Sequence, residues 1–139
     1  MKAGVHTAGH RVLFCMLVAY GAASLVHFIH NAEFLGDYPG LPTSWSRAQV
    51  YIVWLAMTGV GVAGWLLLSR GYFLAGLWVL VAYAALGVDS LGHYVLAPLS
   101  SHTLAMNATI LAEVIAAAIL LLEVSRQIIG RSFNFGGRQ

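Results

Sequence analysis

Charged side chains are scarce in this chain: seven basic and five acidic residues among 139, 9% of the total, against 60% hydrophobic residues. A water-soluble globule of this size needs far more polar surface, so a soluble domain is excluded and a membrane protein is expected. Cysteine is nearly missing as well. Cys15 stands alone in an apolar run, which rules out an internal disulfide or a thiolate cluster within one chain and leaves it as a core or lipid-facing residue. The formal charge of +2 is scattered, with no basic cluster and no aromatic-basic interleaving, so nucleic acid is excluded as a partner. Internal repeats and low-complexity linkers are lacking, and the length leaves no room for a second domain.

Four long apolar segments fill the sequence. A hydrocarbon core of about 30 Å takes roughly 20 residues of helix, and the segments fall at about 11–32, 45–68, 72–96 and 102–129. The expected fold is therefore all-α, a single integral membrane four-helix bundle in contact with the lipid bilayer. Lys2 and Arg11 precede the first apolar run, and Ala22-Ala23-Ser24 is a small-residue cluster of the kind found at signal-peptide cleavage sites. Leu25, Val26, Phe28 and Ile29 carry the apolar run past that cluster to full bilayer length, so an uncleaved span is expected.

The connections read as turns. Residues 34–42 contain Pro39, Pro42, Gly36 and Gly40, and Thr43 or Ser44 is expected to cap the second helix. Ser69-Arg70-Gly71 allows only a tight reversal, and Pro98 stops the third span, with Ser100 or Ser101 as the next cap. Gly59 with Ala63, and the ridge Ala108, Ala112 and Ala116, are expected at close helix contacts. Residues 1–10, with His6 and His10, read as a solvated leader, and 130–139 as a glycine-rich cytoplasmic tail. Lys2, Arg11, Arg70, Arg126, Arg131 and Arg138 fall on one side and only Arg47 on the other, which predicts an N-in/C-in, multi-pass protein of a bacterial inner membrane.

Polar residues are few inside the spans, and they recur at helical spacing. Tyr20, Ser24, His27 and Asn31 form one stripe, with His30 about 60° to its side. Asp89 and His93 are four apart on the third span, and His102, Met106, Thr109 and Glu113 repeat the first stripe's spacing on the fourth. Asn107 lies off that stripe. All the stripes open towards the outer mouth. Ionisable groups in a span are costly unless they face the bundle interior or one another, so a shared site is the expected reason for them.

Imidazoles and carboxylates converging from several helices are the ligand set of zinc, copper or iron. The expected metal ligands are His27, His30, Asp89, His93, His102 and Glu113, with Ser24, Asn31, Glu33 and Met106 in support. A redox role or hydrolysis through a metal-bound water, with Ser24 or Ser90 nearby, is compatible with that set. Haem b between paired histidines is the less favoured cofactor, because carboxylates are unexpected beside a porphyrin. The alternative is a structural or accessory subunit, alone, as a homo-oligomer or within a larger membrane complex, in which these groups only hydrogen-bond between helices. No His-Glu-x-x-His or Glu-x-x-His motif specifies a reaction.

Overall fold

The computed structural model describes the backbone of residues 3–136 and the side chains of residues 9–131. Helix α1 runs over Ala3–Glu33, α2 over Arg47–Ser69, α3 over Phe73–Val88, α4 over Gly92–Leu96 and α5 over Leu104–Gly136. A 3-10 turn at Asp89–Leu91 joins α3 to α4, so Phe73–Leu96 acts as one continuous rod with a change of winding near its C-terminal end. Four stretches, Gly9–Glu33, Arg47–Ser69, Phe73–Leu96 and Leu104–Arg131, are long and apolar enough to cross a membrane.

Short connections make neighbouring rods antiparallel, and contacts place them in the ring order α1, α2, α3, α5. One end of the bundle gathers His10 with Trp65 and Phe73, and the Arg131 guanidinium over the Phe73 ring at 4.7 Å. The opposite end gathers the remaining described histidines. Large apolar side chains cover the outside, with Leu122 72% and Ile52 62% exposed.

The second helix begins later than the sequence reading expects. Trp45 N–H bonds to the Pro42 carbonyl at 3.2 Å, which keeps Thr43 and Ser44 in a turn. Ser46 caps instead: its hydroxyl accepts from Gln49 N–H while the Gln49 side chain accepts from Ser46 N–H, a complete capping box. At the far end, Tyr72 N–H bonds to the Leu67 carbonyl and Gly71 N–H to that of Leu68. These two bonds form a Schellman motif, and Gly71 supplies the positive φ of 87° that it requires. On α5 the cap is Thr103, whose hydroxyl accepts from Met106 N–H, rather than Ser100 or Ser101, which belong to a 3-10 turn.

The close helix contact uses other small residues than expected. Gly59 and Ala63 are exposed, as are Ala108 and Ala112. Gly64 faces Gly76 instead, where a Cβ on Gly76 would stand 2.9 Å from the Gly64 carbonyl oxygen. A Cβ on Gly61 would lie 2.6 Å from the Tyr83 ring. These glycines bring α2 and α3 together over a core of Leu13, Tyr20, Leu77, Leu80, Ala117, Leu120 and Val124, all fully buried. Tyr20 donates to the Tyr83 carbonyl at 3.1 Å and so satisfies its hydroxyl within that core.

The two ends of the chain are also more helical than a leader and a tail. Helix α1 starts at Ala3, and α5 continues past Gly130 to Gly136; near that end Ile128 packs on the core and Arg131 on Phe73. Gly137–Gln139 lie outside the described residues, as do the side chains of Lys2, His6 and Arg138.

Candidate functional site

The stripe on α1 faces the bundle interior: Tyr20 is fully buried, Ser24 and His27 are 2% exposed, and Asn31 is 9% exposed. On α5, Glu113 is fully buried and Met106 is buried, and so is His102, which lies in the turn before that helix rather than on it as the sequence expects. The end of the bundle opposite His10 therefore encloses a polar cluster supplied by α1, the α3–α4 segment and the turn and first residues leading into α5.

Its deepest pair is His27 and Glu113, with Nε2 and Oε2 3.7 Å apart. Hydrogen-bond bookkeeping fixes the imidazole tautomer. The Thr109 hydroxyl donates to the Met106 carbonyl, so it can only accept from His27 Nδ1, at a long 3.4 Å. The Nε2 lone pair of His27 then points at a carboxylate whose Oε2 accepts from the Ser90 hydroxyl at 2.7 Å. A lone pair facing a buried carboxylate is stable only with a positive partner between them, either a proton or a cation.

His93 and His102 continue the cluster. The His27 and His93 rings lie 5.3 Å apart between centroids, and those of His93 and His102 lie 6.2 Å apart. His102 Nδ1 donates to the Pro98 carbonyl at 3.1 Å, which leaves Nε2 as a buried lone pair with no partner among the described residues. Asn107 positions that imidazole. Its amide donates to the Leu99 and His102 carbonyls, and its own oxygen accepts from Tyr94, so the turn carrying His102 is stapled from α5. His93 Nε2 meets the Asn31 amide at 3.3 Å, while His93 Nδ1 and Asn31 Oδ1 are both buried and unpartnered.

Tyr38 occupies the centre of the imidazoles. Although it lies in the loop after α1, it is 4% exposed, with ring centroids 5.1 Å from His93, 5.8 Å from His30, 6.4 Å from His27 and 6.5 Å from His102. Burial pushes its phenol up to about 12, so at neutral pH it keeps its proton and donates to His30 Nδ1 at 2.9 Å. Periodicity in the sequence carries no signal for Tyr38, because it belongs to no span; an aromatic between Asp37 and Pro39 reads as a turn residue. Ser90, by contrast, was legible as a hydroxyl near Asp89.

The remaining expected residues divide. His30 is held by Tyr38, outside the His27–Glu113 pair. Asp89 is exposed, lines a cavity with His27 and His93, and has no partner among the described residues. Glu33 turns away to Arg47, at 3.3 Å, and to the Tyr51 hydroxyl, at 3.1 Å. Met106 packs with Tyr38 and Ile110 in a small apolar cluster.

Among the described residues, no three His, Cys, Asp or Glu side chains stand ready-made around a metal position. The pairwise spacings nevertheless fit metal ligation. Two ligands about 2.05 Å from one ion at a tetrahedral angle lie about 3.4 Å apart, and two imidazoles so bound have centroids about 5 Å apart. The His27–Glu113 and His27–His93 separations are close to those values, and the His93–His102 separation is about 1 Å too long. His93 Nε2 is engaged by the Asn31 amide, so His93 joins such a set only by giving up that contact. Compared with known proteins, the chain matches no family model, no curated protein and no solved structure.

Proposed function

We propose that this chain is a multi-pass inner-membrane protein, with both termini cytoplasmic, that binds one transition metal ion at its outer end through His27, His93 and Glu113, with His102 as the fourth ligand. The observation that carries this reading is the distribution of unsatisfied groups. Five buried side-chain polar atoms lack a hydrogen-bond partner among the described residues, and four of them, on Asn31, His93, His102 and Glu113, belong to this one cluster. Buried polar atoms are normally paired. Here Asn31 Oδ1, His102 Nε2 and Glu113 Oε1 are acceptors without a donor, while His93 Nδ1 carries the ring proton as long as Asn31 donates to Nε2. Three unpaired acceptors in one cluster mark a place where a cation or a proton belongs. Asn31, Ser90, Thr109 and the Pro98 carbonyl then serve as the outer groups that orient the ligands. With imidazole nitrogens and a carboxylate as donors, zinc, copper and iron are the ions of matching softness.

The competing reading is that the same groups only hold helices together. In its favour, each buried histidine has one protein partner: Thr109 for His27, Asn31 for His93 and Pro98 for His102. Interhelical bonds of this type are worth only about 0.6 to 2 kcal/mol each, and they leave Glu113 Oε1 and His102 Nε2 unexplained. Metal counting separates the two. Purified protein exposed in turn to zinc, copper(II) and iron(II), then freed of loose ions, should retain one ion per chain. The His27→Ala/His93→Ala variant should retain none, and His30→Ala should retain one. No metal in the native protein, or equal retention in a double variant that circular dichroism finds folded, overturns the proposal. Reporter fusions at Tyr38 and at the C-terminus should fall on opposite sides of the membrane; the same side contradicts the orientation.

A further inference from the structure

A cavity of about 240 Å³ opens between α1, α2 and the α3–α4 segment. His27, Asn31, Asp89, Ser90 and His93 form its polar end, and Val50, Val53, Met57 and Leu86 are among its apolar walls. A second cavity of about 190 Å³ follows deeper in the same α1–α2 seam, between Leu17, Val18 and Gly21 on one side and Thr58, Gly61 and Val62 on the other. Along α2 the two linings follow one another, the first ending at Met57 and the second beginning at Thr58. From Asn31 down to Leu17 the seam covers about 21 Å of helix.

From this arrangement we infer that the seam binds a single-chain amphiphile, its alkyl chain along α1 and α2 and its head at Asn31, Asp89 and His93; the inference rests on the metal reading only in making that amphiphile the molecule presented to the ion. The chemistry of the polar end selects the head. Asn31 Oδ1 is an acceptor without a donor, on a residue more than nine-tenths buried. Asp89 is a carboxylate within the third membrane-length rod that has no partner among the described residues. A carboxylate at that depth is costly beside lipid unless a donor or a cation meets it. The head therefore carries O–H or N–H donors and no negative charge, as in a long-chain alcohol or amine, and a fatty acid is repelled. The lower cavity offers almost wholly apolar walls, which suits methylene groups and excludes a second polar end.

Tryptophan fluorescence reads both halves of the seam, because Trp45 lines the upper cavity and Trp65 the lower. Protein in lipid nanodiscs, in variants keeping either Trp65 or Trp45 as the sole tryptophan, is titrated with dodecylamine, dodecanol and dodecanoic acid brominated at the terminal carbon. The amine and alcohol should quench Trp65 saturably and more strongly than Trp45, with the acid at least tenfold weaker. Asp89→Asn should weaken the amine about tenfold and spare the alcohol, and Val53→Phe, which fills the upper cavity, should abolish saturation for both. Quenching that rises linearly, or that is the same in Val53→Phe, is partition into the bilayer and overturns the inference. Titrations on metal-free and zinc-loaded protein keep the two readings apart. Saturation in the metal-free protein supports the seam whatever the metal count, and linear quenching in both forms sinks the seam while leaving the metal count standing.

Discussion

His27 and Glu113 come from opposite ends of the sequence, on α1 and α5, yet their Nε2 and Oε2 atoms lie 3.7 Å apart in a setting where both side chains are almost wholly buried. That separation is too long for a hydrogen bond and close to the spacing of two ligands on one ion. The same two helices carry the matching stripes of polar residues, so the pair is the point where sequence periodicity becomes three-dimensional chemistry.

Replacing the carboxylate by its neutral isostere tests the charge without opening a cavity. In Glu113→Gln the amide oxygen can still accept from Ser90, and the side-chain volume is unchanged. Zinc affinity, read by competition with a chelator of known strength, should fall at least tenfold, while thermal unfolding in detergent should shift by no more than about 1 kcal/mol equivalent. Equal affinity in the two proteins removes Glu113 from the site.

Helix contact makes a second prediction. A methyl group at Gly61 meets the Tyr83 ring, whereas one at Gly59 meets nothing within 4 Å. Gly61→Ala should therefore destabilise the bundle by about 1–3 kcal/mol through overpacking. Gly59→Ala should be neutral or stabilising by up to about 1 kcal/mol through helix propensity. Denaturation in mixed micelles measures both, and the reverse order would contradict the observed α2–α3 interface.

The Tyr38 phenol predicts a pH effect of definite sign. Its folded value of about 12 is above the ordinary 10, because burial disfavours the phenolate. A raised value means that the folded state holds this proton more tightly. The resulting stabilisation is complete below the unfolded value near 10 and is lost as pH rises through about 12. The ultraviolet tyrosinate titration of the native protein minus that of Tyr38→Phe should show one phenol titrating near pH 12, and a difference centred near 10 contradicts its burial.

Much of this architecture was legible because it depends on periodicity. Four apolar runs place four membrane-length helices, and Ser24, His27, Asn31 and Glu113 emerge buried on the faces that their spacing assigns, whereas His102 is buried from the turn before α5, where helical spacing does not apply. What the spacing could not carry was anything set by loops or by partner helices. Tyr38 enters the cluster through a proline- and glycine-rich loop, where no period applies. Asp89 and His93 are separated by a 3-10 turn, so their i, i+4 relation does not make them one ligand pair. Glu33 was drawn away by Arg47 across the first connection, a contact between residues fourteen apart that depends on how the loop folds. The small residues at close contact depend on which face of α2 meets α3. Glycines 59, 61 and 64 look alike in the sequence, and only the Tyr83 ring against Gly61 and the Leu80 side chain against Gly64 tell them apart.

X-ray absorption at the zinc edge of the loaded protein addresses the metal site most directly. The account predicts a four-ligand shell at about 2.0–2.1 Å with the outer-shell scattering of at least two imidazoles, one of which disappears in His93→Ala. A shell of oxygen ligands without imidazole scattering, unchanged by that substitution, would contradict it.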